Sequence, residues 1–216
     1  NVHIICTYFT EQAYEKYGEK LKELLALSQK SVQISEDLNR KISDAQTPQG
    51  VYCLCTMLDK ERRTVKIDTD GHYMVLCGLQ DPGNVGTILR TCEAMGIDGV
   101  ILTSDCPDIY SPKVLRSTMG GVFRMSVEIT DDIAKTIQSA QEKSVIVYAA
   151  ALDKTAVSLK NADLKSGSMV LVGNEGNGLS DEVISMCDKT LYIDMKGNAE
   201  SLNAAVAASI IAWEMS

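Results

Sequence analysis

Five residues of this chain have types and positions that suit chemistry: Asn84, Arg90, Glu175, Ser201 and Asn203. None is a ready proton acceptor at neutral pH in the way a histidine is, and both histidines, His3 and His72, lie outside the segments that hold these five. Asn84 and Arg90 belong to Gln80-Asp81-Pro82-Gly83-Asn84-Val85-Gly86-Thr87-Ile88-Leu89-Arg90, where turn residues end an apolar run and Asn84 is able to cap the next helix. Six positions apart, the two do not share one helix face. Read alone, Asn84 is as readily a cap and Arg90 a surface cation. Glu175 stands in Gly173-Asn174-Glu175-Gly176-Asn177-Gly178, where three glycines in six residues permit close backbone approach and positive φ. The loop is neither GxGxxG nor GxxxxGK[ST], and its carboxylate disfavours a phosphate cradle. A plain turn would explain it. So would a ribose hydroxyl, a cationic ligand or an arginine beside Glu175. Ser201 and Asn203 lie in the third loop, Ile193 to Asn203, ahead of the small-residue run Ala204–Ala208. Ser201 is a good N-cap there, and a helix so poor in bulk needs a near neighbour, from this chain or a partner subunit.

All three loops follow apolar, strand-like runs. Strands are expected at Met74–Leu79, Gly99–Leu102, Val145–Ala149, Met169–Val172 and Thr190–Ile193. Helices are expected at Val85–Met95, Pro112–Met119, Asp131–Gln141, Ser180–Met186 and Ser201–Met215. Such alternation implies an α/β fold, a mostly parallel sheet with helices on both faces. Ligands in such sheets bind beyond the carboxyl ends of the strands, where the three loops stand. Ahead of this, residues 1–57 read as a smaller α/β unit. It comprises a strand over Val2–Tyr8, a helix over Glu11–Leu27 capped by Thr10 and interrupted at Gly18, a strand over Ser31–Ile34, a helix from Ser35 to Ile42, and a strand over Val51–Thr56. Residues 58–71 are polar and read as a linker, and residues 72–216 as the main domain. The start at Asn1 rather than Met suggests that the small domain lacks preceding residues.

With 216 residues, 45% hydrophobic and 23% charged, the chain has the make-up of a soluble globular protein. Its apolar runs are too short to span a bilayer, and no signal peptide is visible, so a cytoplasmic location is expected. The seven cysteines are odd in number and include no CxxC pair, and only two histidines are present. Free thiols, with no disulfide and no metal, are expected. The net charge of −8 has the wrong sign for steering toward a polyanion. Basic residues do gather locally, as Lys60, Arg62, Arg63 and Lys66, and as Lys113, Arg116 and Arg124. Composition thus leaves RNA binding open and slightly disfavoured.

Taken together, the three loops resemble the signature motifs of the SpoU/TrmH family of RNA 2′-O-ribose methyltransferases in the SPOUT superfamily. The form N-x-G-x-x-x-R is matched by Asn84, Gly86 and Arg90, with Gly96 beyond; G-N-E-x-x-G-L by Gly173, Asn174, Glu175, Gly178 and Leu179; and S-L-N by Ser201, Leu202 and Asn203. The family usually has proline where Asp194 stands. The N-terminal part is similar to the family's L30e-like substrate-binding domain, best at Thr47-Pro48-Gln49-Gly50. The resemblance implies a C-terminal trefoil knot, a homodimer whose active site borrows residues across the interface, and S-adenosylmethionine held in the knot by Gly173, Ile193, Met195 and Leu202. It assigns catalysis to Asn84, Arg90, Glu175, Ser201 and Asn203, with Glu175 orienting Arg90 or Asn84. It makes structured RNA the substrate, ribosomal ahead of transfer RNA. The alternatives are a non-catalytic RNA-binding protein on the same fold, a base methyltransferase of the superfamily, and a dehydrogenase, for which the GxGxxG loop is absent.

Overall fold

The computed structural model describes residues 3–57, 64–153, 155–199 and 201–216. Lys60, Arg62 and Arg63 of the first basic cluster, and the start of the expected first strand, lie outside them. The chain divides into two compact units, Asn1–Arg62 and Arg63–Ser216.

In the small unit, strand β1 (Ile4–Phe9) leads to helix α1 (Glu11–Ala26), β2 (Ser28–Gln33), α2 (Glu36–Ile42) and β3 (Val51–Cys55). The sheet order is β2-β1-β3, with β2 parallel and β3 antiparallel to β1. Thr10 caps α1 by accepting from the Ala13 N–H at 3.2 Å, and Ser35 caps α2 through the Leu38 N–H at 3.2 Å. Gly18 does interrupt α1, with φ 48° and ψ −121°. The Thr47–Gly50 turn is fastened to the α1 cap, since the Thr10 N–H donates to the Gly50 carbonyl at 2.9 Å. A Cβ on Gly50 would stand 2.6 Å from Thr10 Oγ1, and its φ of +73° is itself a glycine conformation.

The large unit runs β4 (His72–Leu76), α3 (Pro82–Met95), β5 (Gly99–Thr103), α4 (Pro112–Ser117), β6 (Ser126–Thr130), α5 (Ile133–Glu142), β7 (Ile146–Ala150), β8 (Val157–Ser158), β9 (Ser168–Val172), α6 (Asp181–Met186), β10 (Lys189–Tyr192) and α7 (Ala204–Met215). Its strands form one sheet of order β6-β5-β4-β9-β7-β10-β8, and every neighbouring pair is parallel. This is the parallel sheet between helices that the alternating pattern implies. β6 and β8 were not foreseen: Ser126-Val127-Glu128-Ile129-Thr130 is an edge strand with mixed polarity, and β8 has two residues.

Burial on both faces explains why the central strands read as unbroken apolar runs. Along β4, Met74 and Leu76 join a core with Val85, Ile88 and Leu89 of α3 and Ala208 and Ile211 of α7. Tyr73 and Val75 alternate into a second core with Ile137 and Ala140 of α5. The linker expected over 58–71 is shorter on this side. Val65 is buried, its N–H donates to Glu128 Oε2 at 2.7 Å, and a Cβ on Gly99 would meet its Cγ1 at 2.4 Å. Residues 64–71 thus pack into the large unit, carried by two apolar residues, Val65 and Ile67, within a polar segment.

The connection leaving β4 runs to the face of α3, while that leaving its neighbour β9 runs to the face of α6. A crevice therefore opens between the loops at the carboxyl ends of these two strands. No described helix is long and apolar enough to cross a membrane.

Candidate active site

The first loop is set by the start of α3. Asp81, not Asn84, is the cap: its Oδ1 accepts from the Gly83 N–H at 2.7 Å, and Pro82 takes the first helical position. Proline is pre-organised for that position and aspartate for the one before it, so the helix begins earlier than expected. Asn84 then lies inside the first turn, 8% exposed, with its amide free to reach other loops. Gly86 lets α3 and α4 touch. A Cβ there would stand 2.4 Å from Ser117 Cβ and 2.8 Å from the Val114 carbonyl oxygen.

The second loop folds on itself. The main chains of Asn174 and Gly178 exchange hydrogen bonds of 3.1 and 2.9 Å, with Gly178 at φ +69°. Asn174 Oδ1 accepts from the N–H groups of Gly176 at 2.8 Å and Asn177 at 3.1 Å, while its Nδ2 donates to the Gly78 carbonyl at 2.7 Å. A Cβ on Gly173 would lie 2.3 Å from the Gly178 carbonyl carbon, so this position admits no side chain. The fold of the loop presents Glu175 toward the first loop. Its Oε2 accepts from the Gln80 N–H at 3.0 Å, and its Oε1 from Asn84 Nδ2 at 2.9 Å and the Asp81 N–H at 3.3 Å. Partial burial pushes the Glu175 carboxyl upward, but the hydrogen bonds from Asn84, Gln80 and Asp81 outweigh it and hold the group below its ordinary value.

The third loop joins the same network. Asn203, not Ser201, caps α7, its Oδ1 accepting from the N–H groups of Ala205 at 2.9 Å and Val206 at 3.3 Å. The helix accordingly spans Ala204–Met215 rather than starting at Ser201. Asn203 Nδ2 donates to Asn84 Oδ1 at 3.1 Å. Each amide has one sensible orientation: the carboxylate requires Asn84 to offer N–H, its oxygen then needs a donor, and the helix start needs the oxygen of Asn203. Glu175, Asn84 and Asn203 are thereby joined in one directed relay.

Beside the relay lies a groove of about 520 Å³, within the range of small-molecule sites. Gly173, Ile193, Met195 and Leu202 all line it, as do Glu175, Ser201 and Asn203. Asp194, between two lining residues, is exposed and accepts from the Ser158 hydroxyl. A hydrogen bond to β8 thus ties down this position. Asn174 and the N–H groups of Gln80 and Asp81 are structural members of the site that residue-by-residue reading missed. The only available signal was the run of turn residues, because main-chain donors have no residue type.

Arg90 is not brought in. It is exposed near the middle of α3, does not line the groove, and has no hydrogen-bond or ion-pair partner among the described residues. Glu175 therefore orients Asn84, not Arg90, within this chain. The second basic cluster is partly neutralised, with Lys113 on Asp81 at 3.0 Å and Arg124 on Glu93 at 2.6 Å. All seven cysteines are free thiols, and burial pushes those of Cys77 and Cys92 up to about 12.

Residues 71–213, which contain all three loops, match the SpoU rRNA Methylase family. The chain is 32% identical over 182 residues to the 23S rRNA (guanosine(2553)-2′-O)-methyltransferase RlmP of Bacillus subtilis, covering 84% of this chain and 71% of that protein. The AdoMet-bound rRNA methyltransferase from Sinorhizobium meliloti superposes with a TM-score of 0.84 at 26% identity, over 100% of this chain and 80% of that one. The SpoU methyltransferase AviRb from Streptomyces viridochromogenes, in complex with AdoMet, shares the fold with a TM-score of 0.86 at 24% identity, over 100% of this chain and 83% of that one. The chain belongs to the SpoU rRNA methylase family of RNA methyltransferases.

Proposed function

We propose that the chain methylates a ribose 2′-hydroxyl in structured RNA, ribosomal RNA ahead of transfer RNA, using S-adenosylmethionine. The observation that carries this reading is the Glu175–Asn84–Asn203 relay, which joins all three loops at a groove lined by Gly173, Ile193, Met195 and Leu202. The donor set fits the cofactor. Leu152, Ile193 and Leu202 offer apolar walls for a flat heterocycle, bare backbone at Gly173 and Gly176 allows close approach, and the Glu175 carboxylate suits a cationic sulfur. When bound, S-adenosylmethionine supplies a methyl carbon made electrophilic by its sulfonium.

The chain's own residues have three tasks. The relay holds the loops in register, so that the groove is preformed. Ser201 and Asn203 orient the hydroxyl at the groove's edge. A guanidinium is a poor base and a good bidentate donor; Arg90 therefore clamps the phosphate next to the target ribose and stabilises developing charge. Because Arg90 stands apart from the groove of its own chain, the active unit in this reading is a homodimer. Arg90 of the partner subunit then completes each site. The exposed Val206 and Trp213 on α7 supply apolar surface for such a contact. The same reading includes a trefoil knot. α7 follows β10 yet packs on α3 of the β4 side, a course that threading of the C-terminal segment would produce. It also gives the small unit the role of an L30e-like RNA-binding domain, and places the protein in the cytoplasm. The RlmP relative, a 2′-O-methyltransferase of 23S rRNA, supports both ribose and ribosomal RNA.

The test is incubation with methyl-labelled S-adenosylmethionine and unmodified ribosomal or transfer RNA, followed by mass spectrometry of the nucleosides. A labelled 2′-O-methylnucleoside from the ribosomal pool is expected. Label on a base would move the chain to another reaction, and cofactor binding absent altogether would leave the non-catalytic RNA-binding reading.

A further inference from the structure

A second groove, of about 460 Å³, lies across the Gly173–Leu179 loop from the cofactor groove and shares Asn174 and Gly178 with it. It opens at the carboxyl ends of β4, β5 and β6, in the crevice where the connections change faces between β4 and β9. The relay at the proposed active site does not use it. Its walls are polar, and the lining includes no lysine, arginine or histidine. Two carboxylates have oxygens unused among the described residues. Asp105 engages the Thr103 hydroxyl through Oδ1, leaving Oδ2 beside Gly78, where a Cβ would come within 2.9 Å. Asp131 has no hydrogen-bond or ion-pair partner among the described residues; the cap of α5 is its neighbour Asp132. The amides of Gln80 and Asn177 complete the polar rim.

We propose that this groove takes an unstacked nucleobase of the substrate RNA by the donor edge, and that it selects guanine. The proposal rests on the RNA-methyltransferase reading, because it needs an RNA strand at the neighbouring groove. A phosphate would meet two carboxylates with no compensating cation, so the strand enters by a base rather than by its backbone. Single-stranded RNA is commonly read this way, through hydrogen bonds to the edges of splayed-out bases. A carboxylate is acceptor-only and presents two oxygens. Guanine offers two adjacent donors, the ring N–H and the exocyclic amino group. Uracil offers one N–H between two carbonyl oxygens, which a carboxylate repels.

The test uses the full chain, isotope-labelled and saturated with S-adenosylhomocysteine, with amide NMR shifts followed during titration with guanosine or uridine. Guanosine is expected to move the amides of Gly78, Ser104, Asp131 and Asn177, with uridine at least fivefold weaker. Asp105→Asn together with Asp131→Asn is expected to weaken the guanosine response about tenfold. Asp131→Asn alone serves if the double variant does not fold, since this side chain has no partner among the described residues. Equal responses to the two nucleosides, a response unchanged in the variants, or no response at these amides would each overturn the proposal. Movement of the Ile193 and Leu202 amides on adding S-adenosylhomocysteine reports the cofactor groove separately. Its failure would count against the methyltransferase reading and leave the guanosine result to decide the second groove.

Discussion

Asn84 and Arg90 stand on the same helix, about 9 Å apart along its axis, and their surroundings are opposite. Asn84 is buried in the first turn and wired to both other loops; Arg90 is exposed and touches neither. The difference shows that a single chain finishes the part of the site that holds its loops together. It does not finish the part that would meet the charge of RNA. A residue type chosen for charge, presented without a partner among the described residues on a helix that also packs against α7, suggests work done beyond the chain's own groove.

Exchanging Arg90 for alanine tests this contrast with the largest expected effect. Arg90→Ala is expected to lower turnover about 10³-fold and to leave the calorimetric affinity for S-adenosylmethionine within about twofold. Parallel loss of both would return Arg90 to the cofactor groove. Mixing Arg90→Ala chains with Asn84→Ala chains sharpens the comparison, at a cofactor concentration that half-fills the wild-type groove and leaves the Asn84→Ala groove mostly empty. If Arg90 acts across a dimer, random reassociation restores about a quarter of normal activity, because half the dimers are mixed and each has one intact site. If it acts within its own chain, the mixture shows only the residual activity of the Asn84→Ala chains. Asn84→Ala comes next in size. It strips a partner from both Glu175 and Asn203, and we expect cofactor affinity to fall about tenfold, the order of one buried hydrogen-bond pair. An unchanged affinity would mean that the relay does not shape the groove.

The sheet and its helices were legible because β4 and β9 must bury both faces, which leaves unbroken apolar runs that glycine- or turn-rich loops interrupt. β6 escaped notice because an edge strand with Glu128 and Ser126 has no such run. The candidate site was legible as residue types and order in three loops, while Gly173, Ile193, Met195 and Leu202 were named through the family resemblance and line the groove. Its wiring was not. Capping preferences allow both Asp81 and Asn84, and both Ser201 and Asn203, and only the tertiary contacts decide which oxygen takes the helix N–H groups. Choosing Asp81 frees the Asn84 amide. Choosing Asn203 uses its oxygen at the helix while its nitrogen reaches Asn84. The exposure of Arg90 was likewise beyond reach, because a spacing of six excludes a shared face without saying what the other face meets.

The smallest effect expected concerns pH. Glu175 is the carboxylate through which the second loop grips the first, and its folded-state pKa is depressed below the ordinary glutamate value of about 4.3. A depressed carboxyl contributes stability that is fully present above the unfolded value and is lost as pH falls through the folded one. The melting temperature of the wild-type chain is therefore expected to exceed that of Glu175→Gln by a constant margin from pH 5 to 8, and the margin to shrink below about pH 4. The margin is small, because the carboxylate is largely open to solvent and screened by it. Arg90→Ala supplies the control from the other end of the comparison: with no partner among the described residues, it has no carboxylate to release, and its margin against wild type is expected to stay flat over the same range. A Glu175→Gln margin that also stayed flat down to pH 3 would show that the loops are held by the Asn84–Asn203 contact and the backbone alone, with the charge of Glu175 left for the ligand.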